Sequence, residues 1–391
     1  MTLTPTDQLL LLSVKIHPTA ADLDRMHLLI PQITDWEHLA NSAIDRGMGP
    51  LLYKKLVLLT SNSMIPESAK QKLQSAYYLT LSRSIVMYDA FRKVAEAFIA
   101  AGIKVVALKG IYLSEWLYKD VGLRQFSDID LLVKKADGEK CLEILANLGY
   151  TASGSSVAVM IAKESGQIHF PPMVLHGVSI EIHTSLDRAR NGRNFNPGDF
   201  IENSVPVTIN NVTIHTLDFY DLIIHLIIHL DKHFKEDFVN FTGFIDIVNL
   251  LFVHEIEIDW NTLITQCSKY KCENTVFKYL LLINKYFKAS VPEHIIEKYV
   301  HQLTEKDEEL FVNYLHGYVI TSYGASTHIQ NFNEIKGLQK KIRYLLLVVF
   351  PTKEYMTEGY KIKNKDLYWL YYPYRHWIGL KGIAKWVVGR K

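Results

Sequence analysis

The sequence predicts an α+β fold in which a small mixed-sheet core is flanked by N-terminal and C-terminal helical regions. Three observations predict it. Apolar residues recur at helical spacing through residues 1–100 and again from about Leu217 onward. Between these stretches lie short, β-branched runs, Ile103–Leu108, Asp128–Val133 and Val178–His183, too brief for helices and bounded by turns. Glycines mark the changes of pattern, with Gly102 and Gly149 placed where a helix-terminating residue belongs. The predicted organisation is a helical region over 1–100, an α/β core over 101–216, and a helical region over 217–391 that ends in a basic, aromatic tail.

Taken in order, Leu10, Leu11 and Leu12 precede a turn at His17-Pro18-Thr19, and a helix is expected over Ala20–Ile30. Asp35-Trp36-Glu37 opens another, with Leu39, Ala43 and Met48 on one face. A long helix is expected from about Glu67 to Ala101. Ile103–Leu108 then reads as a buried strand, Lys109-Gly110 breaks it, and Ile111–Tyr118 reads as a helix. After the strand at Asp128–Val133, Asp137 is expected to cap a helix running to Leu148. Extended stretches follow near Gln167–Phe170 and at Val178–His183. Val205–Ile209 and Val212–Thr216 flank Asn210-Asn211, a hairpin turn.

The 391 residues, 48% of them hydrophobic, can bury one large core or two to three smaller ones. A net charge of +2 singles out no class of charged partner. The three cysteines, Cys141, Cys267 and Cys272, make neither a disulfide framework nor a paired zinc motif. The N-terminal segment has no basic stretch or small-residue cleavage site, and the longest apolar runs fall well short of a membrane span. A cytoplasmic protein is the expectation.

The chemistry is concentrated in Arg124-Gln125-Phe126-Ser127-Asp128-Ile129-Asp130-Leu131-Leu132-Val133. Side chains alternate along a strand, so Asp128 and Asp130 share one face while Ile129, Leu131 and Val133 face a core. Two carboxylates held together repel unless a cation offsets them, and Mg2+ suits hard oxygen ligands. On Val178–His183, Ser179, Glu181 and His183 likewise share a face. If the two strands lie side by side, Asp128, Asp130 and Glu181 form a metal-binding set of the kind used for in-line phosphoryl chemistry. Upstream, Lys109-Gly110 stands at a strand-to-helix junction, where glycine permits close approach of a phosphate and the helix N-terminus supplies free N–H donors. No Walker A or GxGxxG pattern is present.

Leu108-Lys109-Gly110, Arg124 with Asp128–Val133, and Glu181-Ile182-His183 resemble the nucleotidyltransferase superfamily typified by DNA polymerase beta. They are more closely similar to a bacterial family of uncharacterised nucleotidyltransferases. The flanks share the likeness: Asp35-Trp36, Gly49-Pro50-Leu51-Leu52-Tyr53, and Phe350-Pro351 with Glu354-Tyr355-Met356. The resemblance implies transfer of a nucleoside monophosphate from an NTP to an acceptor, with release of pyrophosphate and dependence on Mg2+ or Mn2+. Asp128, Asp130 and Glu181 would be catalytic and metal-binding, and Lys109, Gly110, Arg124, Ser127 and His183 would bind the nucleotide. Two residues depart from the superfamily's usual pattern: Lys-Gly stands where Gly-Ser or Gly-Gly is common, and Glu181 stands where Asp is common.

Asp221, His225, His229 and His233 recur every four residues and form one helical stripe. One reading is a metal-dependent hydrolase site; the other is a polar stripe packed beside the cleft. Asp246, set among apolar residues, is expected to hydrogen-bond one of these histidines or to cap a packed helix. A catalytically degenerate nucleotide-binding or antitoxin-like module is the non-enzymatic alternative. From Thr352 to Lys391 the chain holds nine Lys or Arg against three acids, interleaved with tyrosines and tryptophans. Such a tail suits single-stranded nucleic acid, an anionic membrane surface on which Trp377, Ile378, Ile383 and Trp386 insert, or plain packing.

Overall fold

The computed structural model describes residues 3–59, 65–152, 169–187, 192–235, 241–254 and 258–316, then 332, 335, 337–353, 356–357, 360, 362 and 364–378. Helices α1 (Pro5–Ser13) and α2 (Ala20–Leu29) each begin at a threonine whose side chain accepts from the backbone three residues on, with the aspartate there returning the bond. Helix α3 (Trp36–Asp45) is capped by Asp35, which accepts from the His38 N–H. It packs with α4 (Gly49–Leu59) against α5 (Glu67–Ala100), and α5 ends just before Gly102, which has φ +74°.

A seven-stranded mixed sheet follows, in the order β3-β4-β5-β2-β1-β7-β6. Its strands are β1 (Val106–Ala107), β2 (Asp128–Leu132), β3 (Thr151–Ala152), β4 (Met173–Leu175), β5 (Val178–His183), β6 (Val205–Ile209) and β7 (Val212–Thr216). The expected six-residue strand at 103–108 is only two residues long. Bonds from Leu108 N–H to Asp130 O and from His215 N–H to Val105 O carry the pairing one residue further at each end. It stops there because Lys109 has φ +40° and starts α6 (Lys109–Trp116). Asp137 does not cap α7 (Gly138–Asn147) through its side chain. The turn Lys135–Asp137 runs straight into the helix and leaves Asp137 in a helical conformation, with its side chain making no cap hydrogen bond. The hairpin at Asn210-Asn211 has both residues at positive φ, as its twist requires.

Strands β2 and β5 are central and parallel, with Asp128 opposite Ser179, Asp130 opposite Glu181 and Leu132 opposite His183. Ile129, Leu131, Ile180 and Ile182 are fully buried. Helices α5 and α7 pack against β5. After α8 (Pro197–Glu202) come α9 (Phe219–Lys235), α10 (Phe241–Val253), α11 (Trp260–Tyr270) and α12 (Glu273–Phe287), with α9 packed against the other three. Buried residues from Leu9 to Leu315 form one continuous hydrophobic cluster. In the tail, Trp369, Tyr374 and Trp377 are exposed, while Ile383 and Trp386 lie outside the described residues. Among the described residues no helix is long and apolar enough to cross a membrane.

Candidate active site

A cavity of about 420 Å³ lies between the polar face of β2 and β5 and the helices α9 and α10. The Lys109-Gly110 turn, the segment Arg124–Ser127, Asp128, Asp130, His169, Glu181 and His183 line one side. Leu226, His229, Lys232 and His233 of α9 and Thr242, Gly243 and Asp246 of α10 line the other. Every residue that the nucleotidyltransferase resemblance singled out for metal or nucleotide therefore borders a single cavity.

Strand alternation accounts for the floor. Asp130 is buried, and its two oxygens are both engaged: Oδ2 lies 2.9 Å from Lys109 Nζ, and Oδ1 accepts from His183 Nε2 at 2.7 Å. The same His183 nitrogen is 3.6 Å from Glu181 Oε2, and His169 Nδ1 is 3.8 Å from that oxygen. Burial alone would raise the Asp130 carboxyl, but the charge of Lys109 and the hydrogen bond from His183 outweigh it and hold the group well below the usual carboxylate range. Glu181 is lowered in the same way, against burial, by His183 and His169. Burial opposes the positive charge on His183, yet its bonds to Asp130 and Glu181 win and raise its pKa. Asp128 is the exception. Burial and the neighbouring Asp130 push it up to about 6, with Lys109 only partly compensating.

Lys109 occupies a left-handed backbone conformation that costs a non-glycine residue energy, and the strain aims its side chain across the cavity. Besides Asp130, its ammonium lies 3.2 Å from His229 Nε2. An ammonium only donates, so that nitrogen accepts and the His229 proton sits on Nδ1. Gly110 has no room for a side chain: a Cβ would come within 2.8 Å of Phe126 Cβ and 2.9 Å of Arg124 Nη1. The turn can therefore pack directly on the segment that delivers Asp128. Ser127 is exposed at the start of that strand.

One sequence expectation is corrected, and one residue was not foreseen. Asp246 neither bonds a histidine of the α9 stripe nor caps a helix. From the middle of α10 it accepts from Arg124 Nε at 2.8 Å, Arg124 Nη2 at 2.6 Å and the Tyr118 hydroxyl at 2.7 Å. Arg124 is consequently buried in a bidentate pair that ties the β2 approach to α10. His169 gave no local signal, because a β-bridge to His183 outside the named strands brings it in. Phe170 N–H donating to Ile182 O holds it there.

The donor set fits a divalent cation. Asp130, Glu181 and His183 each offer a ligand atom, and these atoms lie within 4.8 Å of one another; this is the only such group among the described residues. The α9 histidines make no group of their own there. His225 is buried with neither nitrogen hydrogen-bonded, and His183 Nδ1 is equally unpartnered, so the inner wall carries unmet polar demand.

Comparison with known proteins follows the same lines. No curated protein matches the chain significantly. A family model described as uncharacterised nucleotidyltransferase matches residues 32–288, from just before α3 through the sheet to the end of α12. The match takes in both carboxylate strands, the Lys109-Gly110 turn and the α9–α10 wall. The chain is a member of the uncharacterised nucleotidyltransferase family, and so a transferase of that general class.

Proposed function

We propose that the protein transfers a nucleoside monophosphate from an NTP to an acceptor hydroxyl, releasing pyrophosphate, with Asp128, Asp130 and Glu181 as its working carboxylates. The observation that carries this reading is the parallel register that sets Asp130 opposite Glu181 in a cavity closed by the Lys109-Gly110 helix start. A divalent ion, Mg2+ or Mn2+, held by these carboxylates would offset phosphate charge and ease ionisation of the acceptor hydroxyl.

The chain's own groups divide the remaining work. Lys109 is a buried point charge suited to the β- and γ-phosphates, and leaves Asp130 to meet them. Gly110 and Ser127 offer the α6 N-terminus and a hydroxyl to the same oxygens. Arg124, held by Asp246, keeps that loop in place. His183 fixes the Asp130 carboxylate. The acceptor oxygen attacks the α-phosphorus, its proton passes to Glu181, and the bond from the α-phosphorus to the bridging oxygen breaks as pyrophosphate leaves.

The test is incubation with each NTP and pools of sugar phosphates, small hydroxyl compounds, proteins and RNA ends, read by mass shift and pyrophosphate release. A nucleotidyl adduct formed by the wild type and lost in Glu181→Gln, with binding of a non-hydrolysable NTP retained, is the expected result. Adduct formation that survives in Glu181→Gln would remove Glu181 from the chemistry. NTP binding with no transfer to any pool would favour the nucleotide-binding module instead.

A further inference from the structure

We propose that His183 is itself a metal ligand, joining Asp130 and Glu181 on the ion, so that manganese is favoured over magnesium. This rests on the metal-dependent reading above and specifies its ion.

The placement follows from backbone register. Glu181 and His183 are two apart on β5 and face one side, and β2 runs parallel with Asp130 opposite Glu181. His183 Nε2 therefore lies between two carboxylates, 2.7 Å from one and 3.6 Å from the other. The ring is only 5% exposed, so it cannot swing out to solvent. Its other nitrogen has no hydrogen-bond partner, so the ring's polar contacts lie at Nε2, and the His169 ring packs against it with centroids 5.1 Å apart. Three donor atoms within 4.8 Å of one another, two of them anionic, make a compact site into which an ion can enter as Nε2 gives up its proton. Asp128 stays outside that group while lining the same cavity.

The donor chemistry then selects the ion. Magnesium takes oxygen ligands almost exclusively and dehydrates reluctantly, whereas imidazole nitrogen is an ordinary ligand for first-row transition ions. Two other histidines are close enough to supply a nitrogen. His169 lies 3.8 Å from Glu181, and His225 stands one helical turn before His229 on α9, their ring centroids 6.3 Å apart. Neither has a nitrogen positioned between both carboxylates.

The full chain is titrated with MnCl2 and separately with MgCl2, without nucleotide, and bound Mn2+ is examined by pulsed electron paramagnetic resonance. The expected result is modulation from a directly coordinated imidazole nitrogen and an Mn2+ affinity exceeding that for Mg2+ by about tenfold or more. His183→Asp, which restores an all-oxygen set, should abolish the nitrogen signal and shrink the Mn2+/Mg2+ ratio by about tenfold. His169→Ala and His225→Leu should both keep the signal. Mn2+ bound to the wild type without nitrogen coupling overturns the proposal and leaves metal-dependent transfer standing. So does a signal that survives in His183→Asp or disappears in either control. If His183→Asp does not fold, the wild-type spectrum and the two controls still decide. Failure of the wild type to bind either ion, with or without a non-hydrolysable NTP, overturns this proposal and the metal-dependent reading together.

Discussion

The cavity's floor on β2 and β5 and its wall on α9 both carry rows of titratable side chains, and the two rows are governed by opposite forces. On the floor, charges face charges: Asp130, Glu181, His183 and Lys109 are mutual partners, and attraction overcomes the cost of burial for each. On the wall, neither His225 nitrogen has a hydrogen-bond partner, and His229 meets the Lys109 ammonium. Burial, followed by repulsion from Lys109, lowers His225 to about 3, and burial with the charge of Lys232 lowers His233 to about 4. The floor stores charge and the wall's histidines stay neutral. Four-residue spacing made the wall conspicuous in sequence, but only a row with counter-charges within hydrogen-bond distance becomes an electrostatic device.

The largest break in this comparison should come from Asp130→Asn. Lys109 and His183 would then face a neutral amide, and the floor would lose the anion on which both converge. Turnover with the true acceptor should fall by about 10³-fold or more, with far-ultraviolet circular dichroism unchanged. Retention of near-wild-type turnover would disqualify the floor.

Next in size is Arg124→Met. It leaves Asp246 buried without its fork, and the expected loss is about 3–5 kcal/mol in urea unfolding. Adding Asp246→Leu should recover part of that loss, because no unpaired charge remains. No recovery in the double variant would mean that the pair matters through something other than its buried charge.

A smaller effect separates Asp221, at the far end of the histidine stripe, from the floor's acids. Burial pushes its carboxyl up to about 6, with Asp218 adding repulsion and bonds from Gln266 and Tyr270 opposing. The folded state thus binds a proton more readily than the unfolded chain. Wild-type stability should fall as pH rises from about 4 to 6 and then level off. Asp221→Asn, which can still accept from Tyr270, should lack that fall and be the more stable protein at pH 7. Melting curves across this range check it; parallel pH profiles for the two proteins would exclude the carboxyl as the source.

The smallest effect is expected for His225→Leu. Its nitrogens have no hydrogen-bond partners, so replacing the ring with an apolar group of similar bulk should change stability by about 1 kcal/mol or less and leave turnover within about threefold. A collapse of activity would bring the wall into the chemistry and revive the hydrolase reading.

Much of the arrangement was legible in the chain. Alternation along Asp128–Val133 and Val178–His183 separates polar from apolar faces, because strand geometry has a period of two whatever the surroundings. Asn210-Asn211 announces its hairpin, since both residues tolerate positive φ. The Lys109-Gly110 break is readable because glycine there admits a close approach, although the contact with Phe126 that demands it is not. Illegible were the partner of Asp246, the arrival of His169 and the two-residue length of β1. Each depends on contacts between segments distant in sequence.

By itself, then, the sequence determined which strand residues share a face, where most helices lie, and that the chain carries the family's carboxylate pattern. Those properties follow from local backbone geometry and side-chain chemistry. Tertiary structure alone decided that β5 lies beside β2 in parallel register, that Lys109 reaches Asp130, and that α9 closes the cavity with neutral histidines. It also decided which carboxylate is ionised most easily. A pKa is set by burial and by charges a few ångströms away, and both are properties of the packed chain.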